Sequence, residues 1–237
     1  MRDILAAGLA ELGLTGRVPE QAPEQLAQYG RLLLEKNQVM NLTAITDPVK
    51  VAQLHMLDCA ALLGCADFQD KTLIDVGTGA GFPGLVLKIL VPSLQVTLLD
   101  SLGKQVDWLR ETADQLGLEG VTCLHARAEE QALVKGFRDS FDFAAARAVA
   151  DLRLLSELCL PFVRPGGTFL AMKSMDCGEE LDRAAHAVKL LGGRQEAPFD
   201  YAIPGAGVTH RAVLIRKAAP TLKGYPRRWA KIQKEPL

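Results

Sequence analysis

Several features that the sequence has little of limit what the protein can be. No apolar run approaches the roughly 18 residues that a membrane-spanning helix needs, and the N-terminus has no signal-peptide cleavage pattern. The five cysteines are scattered and form no CxxC pair, which favours reduced, buried thiols and argues against zinc. The net charge of −1 argues against a protein that coats nucleic acid, although it leaves room for a local basic patch. We expect a cytoplasmic protein with no membrane partner and no metal.

Strand and helix patterns alternate from residue 72 onward. The predicted strands cover residues 73–76, 95–99, 121–125, 141–146, 168–173, 194–200 and 209–216. The predicted helices cover residues 84–90, 105–116, 151–163 and 179–191. This alternation predicts right-handed crossovers and a parallel sheet. The loop between the last two strands is too short for a crossover, so these strands should form an antiparallel hairpin. The prediction is an α/β, Rossmann-like fold with a seven-stranded, mostly parallel sheet and an antiparallel last strand.

The two ends of the chain have a different character. Residues 1–70 predict three helices, at about 2–13, 22–37 and 47–63, which should form a cap beside a core domain of residues 71–217. The tail, residues 218–237, is basic and has one acid, Glu235. Tyr225 and Trp229 interleave with its cations, which fits a surface that binds RNA phosphates and stacks on bases. It fits equally a solvated C-terminus whose two aromatics pack on the core.

A glycine-rich turn follows the first predicted strand, with four glycines among residues 77–84. The spacing of Gly79, Gly81 and Gly84 satisfies GxGxxG, which alone is a weak signal for a dinucleotide site. Asp75 precedes the turn, where a carboxylate would repel a pyrophosphate and attract the cationic end of S-adenosylmethionine. Asp100 ends the second strand, where an acid can bind a ribose diol of either ligand. Together with the terminal hairpin, these acids favour a class I S-adenosylmethionine-dependent methyltransferase.

Each acid also has a purely structural interpretation. Asp75 can cap a helix or bond the loop, and Asp100 can be an ordinary turn residue at a strand end. The four glycines, with Asp100 in register after the next strand, favour the cofactor interpretation.

Two longer runs resemble a known family. Residues 75–84 (DVGTGAGFPG) and 99–104 (LDSLGK) are similar to the small-subunit ribosomal RNA methyltransferase G family, also called glucose-inhibited division protein B. Further matches are residues 41–45 (NLTAI), His55 with Asp58, residues 127–129 (RAE), 146–148 (ARA) and 165–167 (PGG). The resemblance implies N7 methylation of one guanine in 16S ribosomal RNA, with S-adenosylmethionine as donor. It also implies a methyltransferase core with an added N-terminal helical part.

The resemblance also implies which residues hold the cofactor. The expected cofactor-binding residues are Gly77, Gly79, Gly81 and Phe82 in the turn, Asp75 before it, Asp100, Ser101 and Leu102 after strand two, Ala128 and Glu129 after strand three, and Arg147. Asp100 is expected on the ribose, and Ala128 with Glu129 near the adenine. The chain departs from the family at Ala80, where many relatives have proline, and at Phe82, where an aliphatic residue is frequent.

Guanine N7 carries a free lone pair, so its methylation needs positioning and electrostatics more than a general base. The motifs of exocyclic-amine methyltransferases and of cytosine-C5 enzymes are absent from the sequence. We therefore predict in-line transfer without a covalent intermediate. Arg147 is the candidate catalytic residue, since a guanidinium can stack on guanine or donate to its O6. It can equally form a structural salt bridge with Asp75 or with the cofactor carboxylate.

Four residues are candidates for binding the substrate: His55, Lys173, Arg227 and Arg228. His55 can instead be a packed core histidine, and Lys173 a solvated strand end. We expect a monomer that acts on 16S ribosomal RNA within the small ribosomal subunit. Two alternatives remain: a methyltransferase of the same fold that acts on a small molecule or a protein, and a cofactor-binding regulator without catalysis.

Overall fold

The computed structural model describes residues 1–147 and 150–237, which form one mixed sheet flanked by helices. The strands are β1 (Thr72–Val76), β2 (Gln95–Asp100), β3 (Val121–His125), β4 (Phe141–Arg147), β5 (Val163–Ser174), β6 (Gly193–Gln195), β7 (Phe199–Ile203) and β8 (Val208–Lys217). Over the described residues the order is β3-β2-β1-β4-β5-β8-β6, with β7 also paired to β8. Ala148, in the matched run 146–148, lies outside the described residues.

Helices cover both faces of this sheet, and several of them come before β1 in the sequence. The first are α1 (Arg2–Glu11), α2 (Ala22–Met40), and a composite helix of α3 (Pro48–Val51), a π-helical turn (Ala52–Leu57), α4 (Asp58–Ala60) and a 3₁₀ turn (Ala61–Gly64). The others are α5 (Gly84–Leu90), α6 (Gly103–Gln115), α7 (Ala128–Gln131), α8 (Leu152–Cys159), α9 (Gly178–Leu190) and α10 (Trp229–Lys234), with a 3₁₀ turn (Leu160–Phe162) after α8. In the ranges described, none of these helices combines the length and apolar character that crossing a bilayer requires.

The parallel half of the sheet positions the site. β1 runs parallel to β2 and β4, β2 to β3, and β4 to β5. The carboxyl ends of these strands meet at one edge, which is where open α/β sheets bind ligands. Asp100 ends β2 and Arg147 ends β4, so the topology brings these two predicted site residues to the same edge.

The antiparallel half corrects the strand count. The predicted strand over residues 194–200 is two strands, β6 and β7, so the described chain has eight strands instead of seven. Pro198 lies between them, and proline has no N–H with which to continue a strand ladder. The predicted antiparallel pairing is confirmed, because β8 runs antiparallel to β5, β6 and β7.

The N-terminal helices share a core with the sheet. Leu26 and Leu33 of α2 belong to the same buried cluster as Leu98 of β2. Tyr29, also on α2, is fully buried and donates its hydroxyl to the backbone carbonyl of Ala80 in the glycine turn. The helical cap therefore packs directly against the turn, while its boundary at residue 70 stays a prediction.

Candidate functional site

A cleft of about 700 Å³ opens at the carboxyl ends of the parallel strands. Its volume lies within the range of small-molecule sites. The predicted cofactor-binding residues that line it are Gly77, Gly79, Phe82, Asp100, Ser101, Leu102, Ala128, Glu129 and Arg147, and His55 lines it too. Residues far apart in the sequence therefore share one cavity, as the family pattern implies.

The glycine turn forms one wall of this cleft and depends on glycine for its shape. Gly77 and Gly79 have φ values of 67° and 56°, in the left-handed region that other residues rarely adopt. The Gly77 N–H donates to the Leu99 carbonyl at 2.8 Å, which ties the turn to the end of β2. The turn is thereby held open beside Asp100.

Asp100 joins the two loops that flank the cleft. One carboxylate oxygen accepts the N–H of Gly79 at 2.9 Å, and the other accepts the N–H of Leu102 at 2.9 Å. Each oxygen keeps a further lone pair, so the carboxylate can still accept from ligand hydroxyls. Although only 7% of the residue is exposed, it lines the cleft, which is the arrangement that a ribose-binding acid requires.

Asp75 and Gly81 lie close to the glycine turn, and their part in cofactor binding stays a prediction. Asp75 is fully buried below the turn, where one carboxylate oxygen accepts the Thr78 hydroxyl at 2.7 Å and the Gly84 N–H at 2.8 Å. A Cβ at Gly84 would lie 2.9 Å from that oxygen, so the start of α5 covers Asp75. Burial raises the pKa of Asp75 to about 6. The other oxygen, Oδ1, is buried and has no hydrogen-bond partner among the described residues, and neither Asp75 nor Gly81 is among the described residues that line the cleft.

Arg147, at the end of β4, also lines the cleft. Its guanidinium donates to the Leu54 carbonyl at 3.2 Å and to His55 Nδ1 at 3.0 Å, and it pairs with Asp58 at 3.4 Å. Its Cζ also lies 4.6 Å from the centroid of the Phe82 ring, a cation–π distance. Among the described residues Arg147 pairs with Asp58, and not with Asp75, which was one partner in the structural alternative.

His55 is held by the residues around it. Since a guanidinium can only donate, Nδ1 of His55 must accept from Arg147, and Nε2 carries the proton. Nε2 lies 2.8 Å from the hydroxyl of Thr43, which itself lines the cleft. The ring also stacks on Phe82 with centroids 4.7 Å apart. His55 is therefore a neutral support for Arg147 and Phe82 at the cleft wall.

We predict that the His55 ring stays neutral at physiological pH. Burial and then the charge of Arg147 lower its pKa to about 4, from an ordinary value of 6.5. Since the unfolded chain takes up this proton at a higher pH, the contribution of His55 to the free energy of unfolding should fall as the pH drops from about 6.5 to about 4. Imidazole nuclear magnetic resonance spectra across this range test the prediction, and a His55 ring that titrates near its ordinary pKa would contradict it.

Asp58 is the centre of a polar network that includes two residues the sequence analysis missed. Its second oxygen accepts the Tyr201 hydroxyl and binds Nδ1 of His210, both at 2.9 Å. The hydrogen bond to Asp58 raises the pKa of His210. Tyr201 and His210 lie on β7 and β8, far from Asp58 in the sequence, and no local motif marks them. The antiparallel hairpin thus helps to hold the acid that pairs with Arg147.

Comparison with known proteins identifies the family. The sequence profile of the family described as rRNA small subunit methyltransferase G matches residues 22–200. The chain belongs to this family. A ribosomal RNA small subunit methyltransferase G from Alkaliphilus metalliredigens is 41% identical over 99% of this chain and 98% of the relative. One from Exiguobacterium sibiricum is 44% identical over 97% of this chain and 96% of the relative.

Solved structures support the fold class. A SAM dependent methyltransferase from Aquifex aeolicus aligns with a TM-score of 0.51 and 20% identity, over 71% of this chain and 93% of that one. The predictions of the fold class, of the family, of a methyltransferase and of S-adenosylmethionine as its cofactor are confirmed.

Three of the four predicted substrate-binding residues contact neighbouring protein groups, and their role in substrate binding stays a prediction. The Lys173 ammonium forms an ion pair with Glu180 at 2.6 Å and donates to the Ala150 carbonyl at 2.9 Å. Arg227 is bound by Glu157 through two side-chain contacts of 2.8 and 2.6 Å. These two cations therefore have structural partners, because buried or half-buried acids face them. His55, as described above, supports the cleft wall.

Arg228 remains as the exposed candidate. Arg228 is solvent-exposed, and it forms no ion pair with any residue in the ranges 1–147 and 150–237. The next residue, Trp229, lines the cleft and was not predicted to do so. Three consecutive residues of the tail therefore differ in position: Arg227 binds Glu157, Arg228 faces solvent and Trp229 lines the cleft.

Proposed function

We propose that this protein transfers the methyl group of S-adenosylmethionine to N7 of a guanine in 16S ribosomal RNA. The observation that carries the proposal is the cleft in which the glycine turn and Asp100 face Arg147, in a chain of the rRNA small subunit methyltransferase G family. We also propose that the substrate is presented in the small ribosomal subunit and that the protein acts as a monomer. Arg228 at the tail is the candidate for an RNA phosphate contact.

The cleft residues fit the cofactor by their chemistry. Asp100 offers carboxylate lone pairs for the ribose hydroxyls, the turn at Gly77 and Gly79 lets the methionine end approach the backbone, and the apolar side of Ala128 suits adenine. When bound, the cofactor supplies an electrophilic methyl group on a sulfonium. The residues of the chain supply position, charge and exclusion of water.

Arg147 is the residue that we assign to the acceptor. Its three protein contacts and the Phe82 ring fix the guanidinium plane, which removes the entropy cost of ordering a long side chain at the moment of reaction. A fixed guanidinium can orient guanine through O6 or its face. The product carries a positive charge on the base, and no proton has to leave N7 before attack. The lone pair of His55 Nδ1 accepts from Arg147, so His55 offers no free base to the cleft.

The decisive test is transfer of labelled methyl groups from S-adenosylmethionine. Purified protein is incubated with 30S subunits and with naked 16S RNA that lack the modification, and the RNA is digested and analysed by mass spectrometry. We expect one N7-methylguanosine per RNA. Reactions without protein provide the control for spontaneous N7 methylation. A methylated small molecule or protein with unmodified RNA would favour another acceptor for the same fold, and no transfer to any substrate would favour a regulator.

A further inference from the structure

The tail is held against the core by buried polar contacts. The Lys217 ammonium, which is fully buried, pairs with Asp139 at 2.9 Å and contacts the Thr221 hydroxyl at 2.6 Å. Arg138 donates to the carbonyl of Tyr225 at 2.7 Å, four residues further along the tail. These groups lose hydration on burial and keep their partners, so they fix the path of the backbone. The tail up to Tyr225 therefore packs on the core in a fixed position.

A second anchor lies directly beside the cleft. Glu157 on α8 is buried. Its carboxylate accepts hydrogen bonds from the backbone N–H and the guanidinium of Arg227, at distances of 2.6 to 2.8 Å. Leu158, the neighbour of Glu157, and Trp229, two residues after Arg227, both line the cleft. Ile232, one turn after Trp229, is fully buried. The ion pair and the buried isoleucine therefore hold Trp229 next to Leu158.

Trp229 shares both a buried cluster and the cleft lining with a residue that is expected near the adenine, Ala128. Trp229 packs on the buried cluster that contains Leu158 and Ala128. Ala128 and Glu129 begin α7 after β3, and they also line the cleft. This is the end of the cleft at which adenine is expected. Trp229 is only partly buried, so part of its indole ring remains available to a ligand there.

We propose that Trp229 forms a wall of the adenine subsite and that the Arg227–Glu157 ion pair is its positioning element. The inference rests on S-adenosylmethionine as the cofactor in the proposed function. An indole ring contributes a large, rigid apolar surface, and it stacks on the face of a purine without requiring a hydrogen bond. The tail thereby contributes to the cofactor site through Trp229, while Arg228 stays its solvent-exposed candidate for an RNA contact.

Calorimetric titration without RNA tests this proposal. We expect Trp229→Ala to raise the Kd of S-adenosylhomocysteine about tenfold, as loss of an aromatic wall predicts. The Kd of 5′-methylthioadenosine should rise by the same factor, because that ligand keeps the adenine and lacks the amino-acid end. Arg227→Gln should weaken both ligands in the same direction. Lys234→Gln, on the exposed end of α10, is the matched control and should leave both Kd values unchanged.

Fluorescence gives an independent readout of the same contact. The chain has two tryptophans: Trp108 is a buried residue of α6, and Trp229 lines the cleft. We expect 5′-methylthioadenosine to change the emission of the wild-type protein and to change that of Trp229→Phe much less. Equal thermal unfolding of the variants and the wild type shows that the fold is intact.

Three outcomes would overturn the proposal, and the first two are distinguishable from failure of the proposed function. Wild-type affinity in Trp229→Ala for both adenine ligands would remove Trp229 from the subsite while leaving the methyltransferase assignment intact. A loss of RNA affinity alone would assign Trp229 to a base of the RNA instead. Absence of any cofactor binding by the wild-type protein would overturn both the proposed function and this inference.

Discussion

Replacing Arg147 by Ala should lower kcat for RNA methylation by about a hundredfold, since misplacing a reacting group by about 1 Å can cost that much. The variant removes the guanidinium that His55 and the Leu54 carbonyl hold in the cleft. It also breaks the buried pair with Asp58, which keeps Tyr201 and His210 as partners, so the loss of stability should stay below the roughly 3–5 kcal/mol of a buried pair left uncompensated. Single-turnover kinetics at saturating cofactor, together with urea unfolding, measure the two effects separately.

Arg147→Lys is the matched variant. It keeps a positive charge beside Asp58, so most of the stability should return. An ammonium lacks the planar fork that contacts three acceptors and lies over the Phe82 ring, so activity should recover only in part. Wild-type turnover in a folded Arg147→Ala protein would show that the guanidinium takes no part in the reaction.

Replacing Asp100 by Ala should raise the Kd of S-adenosylmethionine by about a hundredfold. Hydrogen bonds to a charged group contribute about 1.5–3 kcal/mol each, and two ribose hydroxyls would lose their acceptor. The same change removes the acceptor of the Gly79 and Leu102 N–H groups, so both loops lose their common tie. Calorimetric titration of the cofactor measures the loss.

Asp100→Asn separates the two roles of the carboxylate. The amide keeps the size of the side chain and one acceptor oxygen, so it can hold one loop but binds the ribose diol less well. We expect a smaller increase in Kd than for Ala, and little change in thermal stability. An unaltered Kd in both variants would mean that another residue binds the ribose.

The parts of the site that sequence reasoning placed correctly are local in the chain. The glycine turn follows β1 within a few residues, and its positive φ values require glycine whatever the rest of the fold does. Asp100 was found because parallel strands end at one edge, so a residue at the end of β2 must lie near a turn at the end of β1. Strand periods and glycine spacing are sufficient for the turn and Asp100, whereas Ser101, Leu102, Ala128 and Glu129 followed from the family resemblance.

Several predicted site residues make contacts whose partners the sequence does not reveal. Lys173 and Arg227 were read as free cations, but Glu180 and Glu157 face them after the chain has folded. Asp75 was read as a ligand because its charge suits the cofactor, yet α5 packs over it. Trp229 was left open between core and surface. In each case the missing information was a tertiary contact, which no periodicity or motif contains.

Tyr29 connects the helical cap to the glycine turn. Its hydroxyl binds the Ala80 carbonyl, and its ring lies 5.3 Å from that of Phe82, so α2 and the glycine turn share one packing arrangement. A shift of α2 on binding of RNA would therefore be felt at the turn through these two contacts. By thermodynamic linkage the effect is reciprocal: any factor by which bound RNA alters the affinity for cofactor is the factor by which cofactor alters the affinity for RNA. One buried phenol would thus make substrate docking and cofactor exchange a single coupled equilibrium.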